Sequence, residues 1–465
     1  MIAMKTSSLT RLVLVALLAS GCAKIEPLSS PAAVGGSADF GTYVALGTSI
    51  TAGYQSGGVA NQHQMTSYAA SFARQTGKPV LASGTGSFTY PAIGADGIPP
   101  LLRLVSLSPL QISNAGRTLG SPLNLGQVGA YHNYGVPGAL LLDLADETHY
   151  YATVPPVNRT TFTFFDLIAR HSGTLLAQAA SLGPTFITFE YGANEVLGPA
   201  TSGSGVAALT GPQFAALLNG TLDALEAAAP GVKLALFNVP DVTTIPFVTT
   251  FPPVVLDANG NPVIVNGNPL TLVGPGGTPL GLGDYVLLTA QADLAAGNGF
   301  PTGTFSYLTG AAGTNQPLTD AEVLSAGEAA SIRSAVDQYN AAIASEAAAR
   351  GAALVDLRGL LQRAATTGIP FQGTEYTSEF ITGGLFSLDG VHPNDLAHGI
   401  LCNVLIDAVN ATFGARVPHV DLRGLATATS SRARPAAAGG RARPRIEGLG
   451  DGLAALFPWR GEPAP

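Results

Sequence analysis

The chain has 465 residues and a formal net charge of −8, and 46% of its residues are hydrophobic. That length allows one large domain or two to three ordinary ones, with enough apolar residues for a sizeable core. The acidic balance offers no basic face, which argues against a nucleic-acid binder. The two cysteines, Cys22 and Cys402, lie far apart, so neither a disulfide framework nor a thiolate metal cluster can form from them.

The first residues have the pattern of a secretory signal. Basic residues precede the apolar run 12–18, which is too short to span a membrane as a mature helix. The sequence Ala19-Ser20-Gly21-Cys22 resembles a bacterial lipobox, which implies removal of residues 1–21 and diacylation of Cys22. Because the next residue, Ala23, is not the aspartate associated with inner-membrane retention, we expect an outer-membrane lipoprotein. The alternative is an ordinary signal peptide followed by a chance cysteine.

Strands and helices alternate along the rest of the chain. Residues 22–38, rich in Pro, Ser, Ala and Gly, indicate a flexible tether. Short apolar runs predict strands that start at Tyr43 and Tyr131 and strands at 186–190, 232–239 and 353–357. Apolar spacing predicts helices at 67–74, 164–180, 213–228, 321–350 and 395–412. Cys402 falls inside the last helix among apolar neighbours, where a buried structural thiol is expected.

Two long stretches interrupt this alternation. Residues 80–130 lose all periodicity, but their scattered apolar side chains favour an ordered covering loop. Residues 250–325 contain a predicted hairpin around Asn259-Gly260 and a predicted short helix at 285–296. We expect both insertions to form walls of the substrate pocket without supplying catalytic groups. The composition of residues 426–465 predicts a disordered tail.

Three of the predicted strands end close to a residue suited to chemistry. Ser49 follows the first strand, Gly138 the second and Asn194 the third. The carboxyl ends of strands in an open α/β sheet are where ligand crevices form. Taken singly, each residue has an ordinary explanation: the serine as a helix cap, the glycine as loop punctuation and the asparagine as a turn former. Their function therefore depends on the residues that come after the last predicted strand.

The motif Asp389-Gly390-Val391-His392-Pro393 follows that strand and precedes a helix. With Ser49, Gly138 and Asn194 before it in this order, the chain resembles the SGNH (GDSL-type) serine hydrolases over roughly residues 40–415, the two insertions excepted. The resemblance implies an α/β fold, a three-layer α/β/α sandwich whose five-stranded parallel sheet has flavodoxin-like order. The hydrolase domain would then cover residues 39–425, with insertions at about 80–130 and 250–325.

Two motifs depart from the family's pattern. The usual Gly-Asp-Ser is Gly47-Thr48-Ser49 here, so the carboxylate next to the serine is lost. The usual Gly-x-Asn-Asp is Gly192-Ala193-Asn194-Glu195. Neither change removes a group needed for proton transfer or oxyanion binding. The departures concern the support around the serine and the substrate preference rather than the reaction class.

The chemistry of the residues agrees with the resemblance. The hydroxyl of Ser49 is a poor nucleophile until a base accepts its proton, and the neutral imidazole of His392 suits that task. Asp389 can bond the far imidazole nitrogen and stabilise the imidazolium. The backbone N–H groups of Ser49 and Gly138 and the side-chain amide of Asn194 are candidate donors of an oxyanion hole. This set requires no cofactor.

A metal site is the main alternative for Asp389 and His392. No third histidine or carboxylate stands at ligand spacing, so we expect no metal. The other histidines read as ordinary surface or satisfied residues: His63, His132, His149, His171, His398 and His419.

The sequence therefore predicts an exported, lipid-anchored esterase or lipase that cleaves carboxylic esters through an acyl-enzyme. Its partners would be a small ester, lipid or acetylated-sugar substrate and, through the lipid on Cys22, the membrane. Two alternatives stay open: a deacetylase of O-acetylated polysaccharide with the same fold, and a catalytically silent binding lipoprotein.

Overall fold

The computed structural model describes residues 33–107, 110–146, 164–170 and 172–426 and the backbone of residues 444–446. The strands, in chain order, are β1 (Tyr43–Gly47), β2 (Val80–Leu81), β3 (Phe88–Thr89), β4 (Arg103–Leu107), β5 (Leu110–Ser113), β6 (Asn133–Gly135), β7 (Phe186–Glu190), β8 (Lys233–Phe237), β9 (Ile264–Val265), β10 (Asn268–Pro269), β11 (Tyr285–Val286), β12 (Val323–Leu324), β13 (Ala353–Val355), β14 (Ile369–Phe371), β15 (Thr374–Tyr376) and β16 (Pro444–Ile446). The α-helices are α1 (Ser49–Ala52), α2 (Asn61–Gln64), α3 (Tyr68–Gln75), α4 (Phe164–Ile168), α5 (Leu175–Ser181), α6 (Asn194–Ser202), α7 (Gly211–Ala228), α8 (Pro246–Thr249), α9 (Gln291–Ala296), α10 (Ala326–Arg350), α11 (Leu357–Thr366) and α12 (Asp395–Phe413). The 3₁₀ turns are Leu141–Leu144, Val242–Thr244, Pro275–Gly277, Leu288–Ala290 and Asp320–Glu322.

The central sheet has five parallel strands in the order β13-β8-β7-β1-β6. Numbered 1 to 5 along the chain and read from the β6 edge, these strands run 2-1-3-4-5, which is the flavodoxin-like order. The predicted fold class is therefore confirmed. Gly47 at the end of β1 is level with Gly135 on one side and with Glu190 on the other. The segments that follow β1, β6 and β7 consequently leave the sheet at the same edge.

Helices cover both faces of this sheet. Val44 and Leu46 of β1 face one apolar cluster, which includes buried residues of α7 and α10. Tyr43 and Ala45 face the other cluster, which includes buried residues of α3 and α12. Because both faces of a strand in such a sheet are buried, its residues form a continuous apolar run. This is why the strands were recognisable from sequence.

Capping residues set the ends of the long helices. Ser325 and Glu328 form a capping box at the start of α10, and Gly351 ends that helix in the left-handed conformation. Asn394 caps α12 by accepting the N–H of Ala397 at 3.1 Å. By length and composition α12 could cross a membrane, but much of it is buried in the second cluster and it serves as a core helix.

The structure corrects several predicted helices. The helix expected at 164–180 is two helices, α4 and α5, because Arg170 and Gly173 between them have φ values of 53° and 94°. The long helix starts at residue 326 rather than 321, since β12 pairs with β11 just before it. A helix was also expected at 285–296. Its first two residues form strand β11 in the same pairing, and the α-helix covers Gln291–Ala296. Helix α11 and the hairpin β14–β15 were not predicted.

Both insertions contain short strands. Residues 80–130 contain β2 to β5, and residues 250–325 contain β9 to β12. The second insertion also contains, as predicted, a tight turn in which Asp257 N–H donates to the carbonyl of Asn261 at 2.8 Å. Strand β16, inside the tail predicted at 426–465, pairs in parallel with β5. The predicted signal segment and Cys22 lie outside the described residues, as does most of that tail.

Candidate active site

Three side chains predicted from sequence form one hydrogen-bonded chain at the carboxyl edge of the sheet. Ser49 is the first residue of α1, directly after β1. Its Oγ lies 2.9 Å from Nε2 of His392, and Nδ1 of His392 lies 3.0 Å from Oδ2 of Asp389. The three residues are between 1% and 3% exposed. The structure thus joins residues that are more than 300 positions apart in the sequence.

Asp389 is held by several donors besides His392. Its Oδ1 accepts the N–H groups of Val391 and His392, both at 2.9 Å, and the hydroxyl of Ser387 at 3.0 Å. Burial alone would raise the pKa of Asp389, but the neighbouring imidazole and these donors lower it to about 2. An ionised Asp389 accepts a hydrogen bond from the N–H group at Nδ1 of His392, which leaves Nε2 free to accept a proton from Ser49.

The loop after α1 is hydrogen-bonded to the segment that carries Asp389. Ser56 N–H donates to Ser387 Oγ at 2.9 Å, and Leu388 N–H donates to Ser56 Oγ at 3.3 Å. Gly57 N–H donates to Asp389 Oδ2 at 3.0 Å. Just before this loop, the ring of Tyr54 lies 4.6 Å from that of His392. Sequence reasoning missed these contacts, because nothing in residues 54–57 identifies their distant partners.

The residues proposed for the oxyanion hole lie at the same edge. Gly138 follows β6 with a φ of 81°, a value that glycine adopts readily. Asn194 begins α6 and is 1% exposed. Within the described part of the chain, no acceptor bonds the backbone N–H of Ser49 or Gly138. Buried donors of this kind suit a negatively charged ligand. Their role as oxyanion donors stays a prediction.

The side-chain amide of Asn194 has a hydrogen-bond partner in a neighbouring loop. Its Nδ2 donates to the carbonyl of Ala139 at 2.8 Å, in the loop after Gly138. A primary amide carries two N–H groups, and the structure shows an acceptor for one of them among the described residues. The bond therefore ties Asn194 to the Gly138 loop and leaves one N–H for a ligand.

Two buried glutamates support the site, and neither role was predicted. Glu190, the last residue of β7, accepts hydrogen bonds from Thr48 and Thr51 on either side of Ser49. Glu195 accepts the N–H of Leu141 at 2.6 Å and so holds the other end of the Gly138 loop. Burial raises the pKa of Glu190 to about 6 and that of Glu195 to about 7, although their hydrogen bonds oppose the shift. The signal available in the sequence was an acidic residue at the end of an otherwise apolar strand.

The remaining histidines are more varied than expected. His419 is exposed and paired with Asp407 at 2.7 Å. His63 is buried, and its Nδ1 lies 2.9 Å from Asp395. His398 is neither a surface nor a satisfied residue: it is fully buried, burial lowers its pKa to about 3, and its Nε2 has no partner among the described residues. His149 and His171 lie outside the described residues.

Cys402 is buried, as expected, and burial raises the pKa of its thiol. In the part of the chain that the structure describes, no three His, Cys, Asp or Glu side chains are grouped so that they could hold a metal ion.

An apolar cleft of about 90 Å³ is lined in part by residues that are next in sequence to Ser49 and His392. We define the apolar cleft by its lining residues: Ile50, Pro240, Ile245, Leu357, Leu360, Leu361, Ala364, Ile369, Leu385, Phe386, Val391, Pro393, Ala397, Ile400 and Leu401. Ile50 follows Ser49, while Val391 and Pro393 flank His392. No lining residue comes from the stretches 80–130 or 250–325. The expectation that the insertions form the pocket walls is therefore not met by this cleft.

The sheet order and the position of the site at its carboxyl edge define an α/β fold of the SGNH hydrolase type. The family of GDSL-like lipases and acylhydrolases matches residues 43–405, and the chain belongs to that family. It is therefore, in general terms, an ester hydrolase. Among solved structures, an extracellular lipase from Streptomyces rimosus matches with 15% identity and a TM-score of 0.31, over 79% of this chain and 98% of that one. No curated protein matches the chain significantly.

Proposed function

We propose that this chain is a serine hydrolase that cleaves carboxylic esters through an acyl-enzyme, with Ser49 as the nucleophile. The observation that carries the proposal is the hydrogen-bonded chain of Ser49, His392 and Asp389, at 2.9 and 3.0 Å. His392 accepts the proton of Ser49 as its Oγ attacks the ester carbonyl, and then delivers that proton to the leaving alkoxide. A water molecule, activated by the same imidazole, releases the acid. Asp389 orients the imidazole and stabilises its charged form throughout.

The attack places a negative charge on the former carbonyl oxygen. We assign the backbone N–H groups of Ser49 and Gly138 and the free N–H of Asn194 to that oxygen. Each such preorganised donor contributes on the order of 3 kcal/mol to the transition state. The unoccupied backbone donors and the bond that holds Asn194 beside the Gly138 loop support this assignment.

The apolar cleft favours esters of apolar acyl chains over acetylated sugars. Every residue that lines it is apolar, as expected of a pocket that binds an apolar group. Because Ile50, the residue after Ser49, lines the cleft, we infer that an acyl chain on Ser49 enters it, whereas an acetyl group is too short to need it. We therefore infer an esterase or lipase rather than an O-acetyl-polysaccharide deacetylase.

A series of nitrophenyl esters from acetate to octanoate tests this assignment. We expect kcat/KM for octanoate to exceed that for acetate. Leu361→Trp fills the apolar cleft and should lower the octanoate-to-acetate ratio at least tenfold, whereas Leu217→Trp, on α7, should not change it. The ratio is unaffected by the fraction of folded enzyme. Preference for acetate in the unmodified protein, together with release of acetate from acetylated xylan, would instead indicate a deacetylase.

We further propose that the enzyme is exported and anchored in the outer membrane by a lipid on Cys22. The proposal is supported by the charged start, the short apolar run and the lipobox-like sequence that ends at Cys22. A diacyl anchor provides two hydrocarbon chains, enough for stable membrane attachment.

A further inference from the structure

The turn that carries Ser49 is hydrogen-bonded to a carboxylate from a neighbouring strand. Oε2 of Glu190 accepts the backbone N–H of Thr48 at 2.9 Å and the hydroxyl of Thr51 at 3.0 Å. The hydroxyl of Thr48 lies 2.9 Å from the same oxygen and 3.0 Å from Oε1. The residues immediately before and two after the nucleophile are therefore both fixed by one side chain.

The sheet register and Gly47 create the space for this carboxylate. Gly47 and Glu190 are directly paired across the parallel strands β1 and β7. A Cβ atom added at Gly47 would lie 2.9 Å from Oε2 of Glu190 and 2.1 Å from Oγ1 of Thr51. Those distances exclude a side chain at this position. Glycine at position 47 and glutamate at position 190 thus form a matched pair.

We propose that Glu190 is the positioning residue of the nucleophile, replacing the acidic residue that this chain lacks at position 48. Glu190 acts through Thr48 and Thr51, which hold the first turn of α1. That turn fixes both the hydroxyl of Ser49 and its backbone N–H, relative to His392 and to the substrate carbonyl. The inference rests on the proposed serine mechanism and adds to it the group that sets the nucleophile's orientation.

The surroundings of Glu190 make its charge state important. Tyr68, Tyr191 and Glu195 are the titratable groups that face it, and the Tyr68 hydroxyl lies 2.7 Å from Oγ1 of Thr51. In the described part of the chain, Glu190 has no ion pair with a cation. Burial raises its pKa to about 6, so below that pH the protonated form dominates. A protonated carboxyl has lost part of its acceptor capacity, and the three donors of Thr48 and Thr51 then compete for what remains.

The test compares two buried glutamates that have similar bonds. Glu190→Gln keeps the shape but removes the charge and one acceptor, and it should lower kcat about tenfold to hundredfold with KM nearly unchanged, because the turn is misplaced and no substrate contact is lost. Glu322 also accepts the N–H and hydroxyl of one threonine, Thr319, both at 2.8 Å. Glu322→Gln lies outside the site and should leave kcat unchanged.

The pH profile separates positioning from simple stability. On the acid side, kcat/KM of the unmodified protein should show a fall that follows protonation of Glu190, near pH 6. That component of the acid limb should be absent from Glu190→Gln. Thr48→Asp should be harmful alone, because two buried carboxylates repel each other. Combined with Glu190→Gln it should restore kcat toward that of the unmodified protein, since the lost carboxylate is replaced.

The outcomes distinguish this inference from the proposed function. Ser49 that reacts with a fluorophosphonate in the unmodified protein supports the serine mechanism whatever Glu190 does. If Ser49 reacts but Glu190→Gln retains kcat per folded molecule within threefold and the same acid limb, Glu190 is not a positioning residue. If Ser49 does not react in the unmodified protein, the proposed function itself fails, and the inference fails with it.

Discussion

The backbone N–H of Gly57 donates a hydrogen bond to Oδ2 of Asp389 at 3.0 Å, across 332 residues of sequence. The same carboxylate oxygen lies 3.0 Å from Nδ1 of His392. Gly57 belongs to the loop that directly follows the helix of Ser49. The segment that follows Ser49 therefore also orients the carboxylate of Asp389.

We predict that Gly57→Ala lowers both stability and activity. Gly57 has a φ of 82°, and an L-residue in the left-handed region costs about 1–2 kcal/mol. If the backbone shifts to relieve that strain, the N–H of residue 57 moves away from Asp389. We therefore expect kcat to fall about tenfold. Gly77→Ala is the control for backbone strain, because Gly77 has a φ of 83° and open space around it, whereas a Cβ atom at Gly57 would lie 3.3 Å from Leu102. We expect both variants to have a lower Tm but only Gly57→Ala to have a lower kcat. Equal kcat values in the two variants would contradict this prediction.

We predict that Asp389 contributes to stability in a defined pH range. Its pKa in the folded protein, about 2, lies below the ordinary value of 3.8, so its ionised form is the stabilising one. The contribution, about 2 kcal/mol, is present above pH 4 and is lost as the pH falls toward 2. The difference in unfolding free energy between the unmodified protein and Asp389→Asn should therefore shrink from pH 5 to pH 2. A difference that stays constant over that range would show that Asp389 is not selectively stabilised as the carboxylate.

We predict two separate losses in Asn194→Ala. Removing the oxyanion donor should lower kcat about a hundredfold with little change in KM, because the oxyanion exists only beyond the ground state. Removing the bond to Ala139 should also lower stability by about 1 kcal/mol. Asn410→Ala is the control, because its amide bonds the backbone of Val417 at the far end of α12 and so affects stability alone. A normal kcat in folded Asn194→Ala would remove Asn194 from the site.

The sequence predicted which side chains come together better than it predicted what supports them. Asp389 and His392 stand three residues apart in one short motif and Ser49 stands just after an apolar strand, so their order along the chain revealed the resemblance that grouped them. Glu190 becomes meaningful only through its register with Gly47, which depends on which strands are neighbours. A single-sequence pattern contains no information on that pairing.

Helices, too, were predicted best where their signals are local in the sequence. Long helices with clear capping signals, such as α10 and α12, were predicted within a few residues at most ends. The helix expected at 164–180 was wrong because two residues in left-handed conformations interrupt its apolar spacing, and one of them, Arg170, is not a glycine. The lining of the apolar cleft was missed because it comes from many separate segments, including α11, which was not predicted.

We predict that the mature protein begins at Cys22 and carries a lipid. Mass spectrometry of the N-terminal peptide from the native membrane fraction should show a diacylated cysteine. Cys22→Ser should leave the enzyme active but released from the membrane, since the anchor is separate from the site. An unmodified N-terminus at another residue would indicate a soluble secreted enzyme and would contradict the anchor.

Labelling with a fluorophosphonate tests the central claim most directly, because the reagent reacts with a serine that a neighbouring base has activated. We predict that the unmodified protein is labelled at Ser49, as mapped by peptide mass spectrometry. We also predict no labelling of folded Ser49→Ala and strongly slowed labelling of His392→Ala. Labelling that persists in Ser49→Ala, or that maps to a different serine in the unmodified protein, would contradict the mechanism.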